Sequence, residues 1–159
     1  MDGWRCVLLR AFGAQIGNSC RIDPHSRIWA PWNIVMGDYV AIADSVDLYS
    51  VDRIVIGSKV AISQRAFVCT AGHDISNLQR PLTHSPVVIG DHCWIAAEAM
   101  IHPGVVVGEG AVIAARAVLR HEAKSWTIWA GNPAREVGQR RLDDDFLSDA
   151  MTKQTMREI

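Results

Sequence analysis

Fifteen positions spaced by six residues carry nothing but Ile, Leu, Val or Met, and this beat limits what the chain can become more than any other feature. It runs Ile16, Ile22, Ile28, restarts at Met36, Ile42, Leu48, restarts at Ile56, Ile62, Val68, and continues Ile89, Ile95, Ile101, Val107, Ile113, Leu119. A period of six matches neither the 3.6 of an amphipathic helix nor the 2 of a half-buried strand, so a repeat architecture is the first reading to take. The fourth residue after each beat is usually small, as at Cys20, Ser26, Val60, Ala66, Cys93, Ala99, Ala111 and Ala117, and Gly often follows the beat directly, as at Gly17, Gly37, Gly57, Gly90 and Gly108. Each hexad thus offers one large and one small side chain inward, with a tight corner beside them.

Three hexads of this kind close an eighteen-residue triangular coil, and such coils stack through strand-like hydrogen bonds about 4.8 Å apart. The pattern predicts an all-β solenoid, a parallel β-helix of about five coils, roughly 25 Å tall on that spacing. One coil cannot bury its own apolar row, so stacking supplies the core. Two slips of eight residues, Ile28 to Met36 and Leu48 to Ile56, place Trp32 and Asp52 where small residues belong and predict bulged surface corners. A sandwich of short strands is the alternative, but the period is too strict and the repeats lack Asn-Gly or Asp-Gly turn signals.

At 159 residues the expectation is one domain with an appendage at each end. Residues 1–15 form an N-terminal helical cap, 16–124 the β-helix interrupted by a loop over 70–86, and 125–159 a C-terminal tail with a helix beginning near Asp143. A solenoid needs its open ends covered, which gives both flanks a structural reason. A net charge of −1 without a basic stripe argues against nucleic acid. No apolar run approaches the roughly 20 residues of a membrane span, although a membrane-surface role for the Trp4–Phe12 segment stays open. Cys6, Cys20, Cys69 and Cys93 are scattered, two of them at small interior positions, and read as reduced packing residues of a cytoplasmic protein rather than disulfides or metal ligands.

Between Val68 and Ile89 the beat disappears. An excursion thrown from a rigid stack is where function concentrates, and this one holds His73 and His84 with Asp74 and Arg80. A loop histidine in an arbitrary protein is more often a solvated bystander. Here it stands where the chain leaves the coil, and an imidazole is the usual group for taking a proton from a hydroxyl.

The hexad beat, the His73-bearing excursion, the Trp94–Ala97 stretch and the closing Ala130-Gly131-Asn132-Pro133-Ala134-Arg135 together resemble the hexapeptide-repeat acetyltransferases, most of all their colanic-acid-biosynthesis type. The resemblance implies a left-handed β-helix, a homotrimer with active sites between subunits, and acetyl-coenzyme A as donor to a sugar hydroxyl in surface-polysaccharide assembly. It implies that His73 is the general base and that no metal takes part. It places Trp94, Ala97, Ala115, Arg120 and Arg135 on the coenzyme, with Arg135 meeting phosphate. Corner packing for the two alanines and trimer packing for Trp94 remain equal alternatives. Asp47, Tyr49 and Asp52 are candidate sugar contacts, or for the carboxylates simple corner caps. Ala43 stands where better-known galactoside and maltose enzymes carry an acceptor-binding Asn, which leaves the sugar open. Asp74 is a further candidate at the acceptor and, less readily, a support for the His73 tautomer, since sequence neighbours in extended chain face apart.

Three rivals keep the same scaffold. A zinc carbonic-anhydrase-like site needs three converging histidines, and residues 25, 73, 84, 92, 102 and 121 lack the spacing for one. Acyl transfer to a sugar amine differs only in the acceptor atom. A non-catalytic scaffold has no reason to retain both the His73 loop and Arg135.

Overall fold

The computed structural model describes residues 3–143, so the helix expected from Asp143 onward lies outside the described residues. Helix α1 (Trp4–Ala11) comes first, followed by β1 (Gln15–Ile16), β2 (Arg21–Ile22) and β3 (Arg27–Ile28) of the first coil. The second coil is β4 (Ile34–Met36), β5 (Ala41–Ile42) and β6 (Asp47–Tyr49), and the third is β7 (Ile54–Ile56), β8 (Ala61–Ile62) and β9 (Phe67–Cys69). Strands β10 (Ala71–His73) and β11 (Leu82–His84) then leave the stack. The fourth coil is β12 (Val87–Ile89), β13 (Trp94–Ile95) and β14 (Met100–Ile101), and the fifth is β15 (Val106–Val107), β16 (Val112–Ile113) and β17 (Val118–Leu119). Strands β18 (Thr127–Ala130) and β19 (Arg135–Gln139) complete the described chain.

The strands form three faces. Face A runs β1-β4-β7-β12-β15, face B runs β2-β5-β8-β13-β16-β18-β19 and face C runs β3-β6-β9-β14-β17. Every pairing within the coils is parallel, and the fold is the left-handed parallel β-helix. The apolar beat is its core. All fifteen beat residues except Ile16 and Ile28 of the first coil are buried, and so are the small residues four places on, from Cys20 to Ala117. Register stacks like on like: Ile62, Ile95 and Ile113 lie in one column, and Val68, Ile101 and Leu119 in another. Cys6, Cys20, Cys69 and Cys93 are buried and form no disulfide, and burial pushes the Cys93 thiol up to about 11.

Three sequence expectations change. The first concerns the slips of eight: Ile16 pairs with Met36 and Met36 with Ile56, so the early coils do take two residues more than the eighteen that separate Ile89 from its partner Val107, but part of the bulge is buried and not on the surface. The excess lies at the corner between faces C and A, where Ser50 and Thr70 are fully buried and satisfied. Ser50 Oγ bridges the backbone of Ala30, while Thr70 Oγ1 donates to the Tyr49 carbonyl at 2.7 Å and accepts from Asp52 N–H at 2.9 Å.

The second concerns the corners. The glycine after the beat does not make the turn; the positive φ falls two residues later, on Lys59 (58°) after Gly57, His92 (60°) after Gly90 and their equivalents. The glycine is there for close approach between coils. A Cβ on Gly57 would sit 2.7 Å from the Asp91 backbone nitrogen and 2.8 Å from the Gly90 carbonyl carbon. Backbone cannot yield as a flexible side chain does, so Gly57→Ala is expected to cost about 1–3 kcal/mol as an overpacking change. A thermal midpoint equal to the wild type's would show that the coils are not that close.

The third is the C-terminal flank. The tail expected after residue 124 still belongs to the stack, because β18 pairs in parallel with β16 and sets Trp129 over Ile113. Strand β19 then turns back antiparallel along β18. At the other end α1 covers the first coil with Cys6 and Leu9. Its arginines are staples rather than a charged outer face: Arg10 donates to the carbonyls of Ile16 (3.0 Å) and Gly17 (2.6 Å), and Arg5 to those of Pro24 and Ser26. Among the described residues no helix is long and apolar enough to cross a membrane.

Candidate active site

The interruption of the beat, expected as a loop over 70–86, is built as a hairpin. Strands β10 and β11 pair antiparallel with Ala71 opposite His84, Gly72 opposite Thr83 and His73 opposite Leu82. Its root is tied to the stack by Ser85 N–H donating to the Thr70 carbonyl (2.9 Å). Its tip is built from local caps. Asp74 accepts from Ser76 N–H (2.9 Å) and Oγ (2.6 Å), Asn77 accepts from Gln79 N–H (2.9 Å), and Arg80 N–H donates to the Asn77 carbonyl (2.8 Å).

These caps decide what His73 is. Its Nδ1 lies 2.7 Å from the Arg80 carbonyl oxygen, and because a carbonyl only accepts, Nδ1 carries the proton. The neutral ring then holds its lone pair at Nε2, on the exposed side chain. Asp74 does not supply this support. Its carboxylate serves the Ser76 turn, whose hydroxyl and amide hold it below the usual carboxylate range. Sequence reasoning missed the true partner, since no side-chain type announces a backbone carbonyl.

The acceptor candidates gather below the hairpin on face C and the corner it shares with face A. Asp47 pairs with Arg27 at 2.8 Å. Tyr49, on the same strand, lies between Trp29 and Phe67 with ring centroids 5.5 and 6.4 Å away. Asp52 stands at the corner, its Oδ2 2.7 Å from Nδ1 of His84; that hydrogen bond, and a second from the Arg53 amide, hold its carboxyl below the ordinary range. His84 is thus joined to the candidate group, a place to which nothing in its sequence neighbourhood assigns it.

The donor candidates gather elsewhere. Ala97 and Ala115 turn the corner between faces B and C one coil apart, linked by Arg116 N–H donating to the Ala97 carbonyl (2.9 Å). The Gly131–Ala134 turn folds back onto Val118, and Arg135 pairs with Ala130 at the top of the same corner. Trp94 lies half-exposed on face B, its indole N–H donating to Ser63 Oγ at 2.9 Å. Arg120 stands apart, at the far end of face C beyond β17.

His73 and the alanine corner therefore occupy opposite edges of face C. A face of five or six residues spans roughly 15–20 Å at ~3.3 Å per residue. One chain does not bring base and donor corner together.

For metals, Asp23, His25 and Asp44 place one ligand atom each within 4.8 Å of one another. His25 Nδ1 lies 3.2 Å from each carboxylate, hydrogen-bonding distances on an exposed corner. They lie at the B–C corner of the first two coils, whereas the hairpin leaves the stack at the C–A corner.

Comparison with known proteins supplies the remaining evidence. Residues 86–121 match the family model described as bacterial transferase hexapeptide (six repeats). The chain is 38% identical over 137 residues to WcaF of Escherichia coli (strain K12), named as a colanic acid biosynthesis acetyltransferase, covering 86% of this chain and 75% of that one. Among solved structures it is similar to a maltose O-acetyltransferase from Clostridium difficile 630, with TM-score 0.72, 29% identity and coverage of 87% and 75%. It is also similar to AntD, an N-acyltransferase from Bacillus cereus in complex with dTDP and 3-hydroxybutyryl-CoA, with TM-score 0.75, 26% identity and coverage of 90% and 81%.

Proposed function

We infer that this chain, which belongs to the hexapeptide-repeat acetyltransferase family and is an acyltransferase, moves an acetyl group from acetyl-coenzyme A to a hydroxyl of a sugar or glycan precursor in surface-polysaccharide assembly. The observation that carries this reading is the His73 ring, fixed through Nδ1 by the Arg80 carbonyl and offering Nε2 from a hairpin outside the stack. Nε2 takes the acceptor proton as the hydroxyl oxygen attacks the thioester carbonyl carbon. The tetrahedral intermediate collapses, the C–S bond breaks, and the imidazolium returns its proton to the leaving coenzyme thiolate. Held in line, the two substrates react directly, without an acyl-enzyme. An oxyanion donor is needed. Of the Cys93–Ala97 edge, Trp94 and Ala96 spend their amides on the next coil and Ile95 lies inside the β13 ladder; Ala97, already at the donor corner, is our choice.

The pantetheine arm runs along the Ala97–Ala115 corner, where small side chains let it approach the backbone, beside Trp94. Arg135, at the top of that corner, meets phosphate, a role that suits the guanidinium fork, whereas Arg120, at the opposite edge of face C, is not assigned to this corner. Because the corner and His73 lie a face apart in one chain, the working site joins the corner of one protomer to the hairpin of another. A closed homotrimer on a three-fold axis does this three times. Asp47, Tyr49, Asp52 and Asp74 flank the acceptor.

The N-acyltransferase activity of AntD supports a second reading, transfer to an amino sugar. One assay separates them. Purified protein is incubated with acetyl-coenzyme A and a panel of nucleotide-linked, lipid-linked and p-nitrophenyl sugars with and without amino groups, and products are weighed and treated with hydroxylamine. An ester is expected, gaining the mass of one acetyl group and losing it to hydroxylamine. A resistant product is an amide and favours the second reading; no product with any sugar removes the acceptor class altogether.

A further inference from the structure

His84 has no part in the mechanism above, yet its setting repeats that of His73. Side chains two apart on an antiparallel strand share a face, so the pairs Ala71–His84 and His73–Leu82 put both imidazoles on the same side of the hairpin. They are diagonal neighbours, with Cβ atoms about 7–8 Å apart or less in such a register. Ala71, directly opposite His84, is only 8% exposed, so this side of the ribbon turns toward the stack rather than away from it. It looks onto the corner that carries Tyr49 and Asp52.

Both rings are also held by the same nitrogen. The Asp52 carboxylate takes His84 Nδ1 at 2.7 Å, as the Arg80 carbonyl takes His73 Nδ1. A carboxylate accepts and cannot donate, so Nδ1 of His84 carries hydrogen. Asp52 is itself fixed, its amide donating to the buried Thr70 hydroxyl at 2.9 Å. A partner on Nδ1 sets ring orientation and tautomer, and leaves Nε2 to do the work. The His84 side chain is 56% exposed, so this nitrogen can be reached from solvent, while Asp52 behind it is 26% exposed.

We propose that His84, oriented by Asp52, binds a second hydroxyl of the acceptor sugar beside the one that His73 deprotonates, and so sets which acceptors the enzyme accepts. The inference rests on the sugar-acceptor reading of the preceding subsection. It moves Asp52 from direct sugar contact to a positioning role exerted through His84. A ligand with two oxygens on one ring fits a site with two imidazoles on one face. A monohydric alcohol does not.

Side chains of different length separate this from a purely structural pin. Glutamine carries its amide near where histidine carries Nε2, and asparagine near Nδ1, so Gln replaces the sugar contact and Asn the contact to Asp52. Acceptor and donor KM are measured with whichever panel sugar the wild type turns over fastest. His84→Ala is expected to raise acceptor KM about tenfold or more, one hydrogen bond's worth, and to leave acetyl-coenzyme A KM within about twofold, because the donor corner is untouched. His84→Gln restores acceptor KM and His84→Asn does not. Recovery by Asn alone, or an acceptor KM that none of the three variants moves, overturns the proposal while leaving acetyl transfer standing. If the alanine variant does not fold, the Gln and Asn pair decides. A wild type that acetylates no sugar of the panel refutes the acceptor reading and this inference with it.

Discussion

Replacing His73 by alanine is expected to lower kcat for acetyl transfer by about a hundredfold or more, the range for losing a general base. The fold should not register the change. The His73 side chain is exposed at the end of β10, and its one hydrogen bond in the described structure goes to a carbonyl of its own hairpin. Thermal midpoint and oligomer mass are therefore expected to match the wild type. Donor affinity comes from the corner residues of the protomer across the joint site and not from the imidazole, so acetyl-coenzyme A binding, read as a thermal shift, should survive. That combination of lost turnover, retained fold and retained donor binding belongs to a base. Near-normal turnover refutes the role, and loss of donor binding would move His73 into the coenzyme site. His73→Asn sharpens the test, since its amide reaches the Arg80 carbonyl but offers no basic lone pair at Nε2, and it should be as impaired as alanine.

What the sequence made legible, and what it hid, follows from which groups hold each part. Ile62, Ile95 and Ile113 declared the core because a stacked coil repeats one demand on side-chain volume every six residues, and volume is written in residue type. The corners were read one step off. Gly57 is conspicuous, yet the positive φ belongs to Lys59, a residue that looks like ordinary surface. Glycine was needed against the coil above, a contact between residues that are distant in sequence. The turn that β18 adds above the five coils, a sixth, was missed because Trp129, not an aliphatic residue, takes the column above Ile113.

The site shows the same division. His73 stood out because the beat stops beside it. Its tautomer is fixed by a backbone carbonyl, which every residue owns and none advertises. Asp74, the neighbour a reader of the sequence reaches for first, is occupied with its own turn. His84 became visible only through register: the ten residues between it and His73 conceal that they share a face. The separation of His73 from the alanine corner was likewise invisible, because distance around a prism depends on which face each hexad occupies.

The largest effect on stability is expected from Ile95→Ala. Ile95 is fully buried in the fourth coil, with Ile62 below and Ile113 above in one parallel column. Truncation removes the transfer energy of its missing carbons and leaves a cavity that rigid neighbours fill only in part, about 2–5 kcal/mol for Ile→Ala. Neighbouring coils cannot close the gap by moving together, because their spacing is fixed by the backbone bonds that run along every face. In a stack whose stability is the sum of coil and interface terms, a central vacancy weakens two interfaces at once. Ile22→Ala in the first coil is the control. Ile22 is 9% exposed, meets one coil above it, and has only α1 on its other side, so it is expected to cost less. Thermal or denaturant midpoints of the two variants at equal protein concentration test this. A smaller loss at Ile95 than at Ile22 would mean that the stack relaxes more easily in its middle than at its end, contrary to a core held by continuous columns.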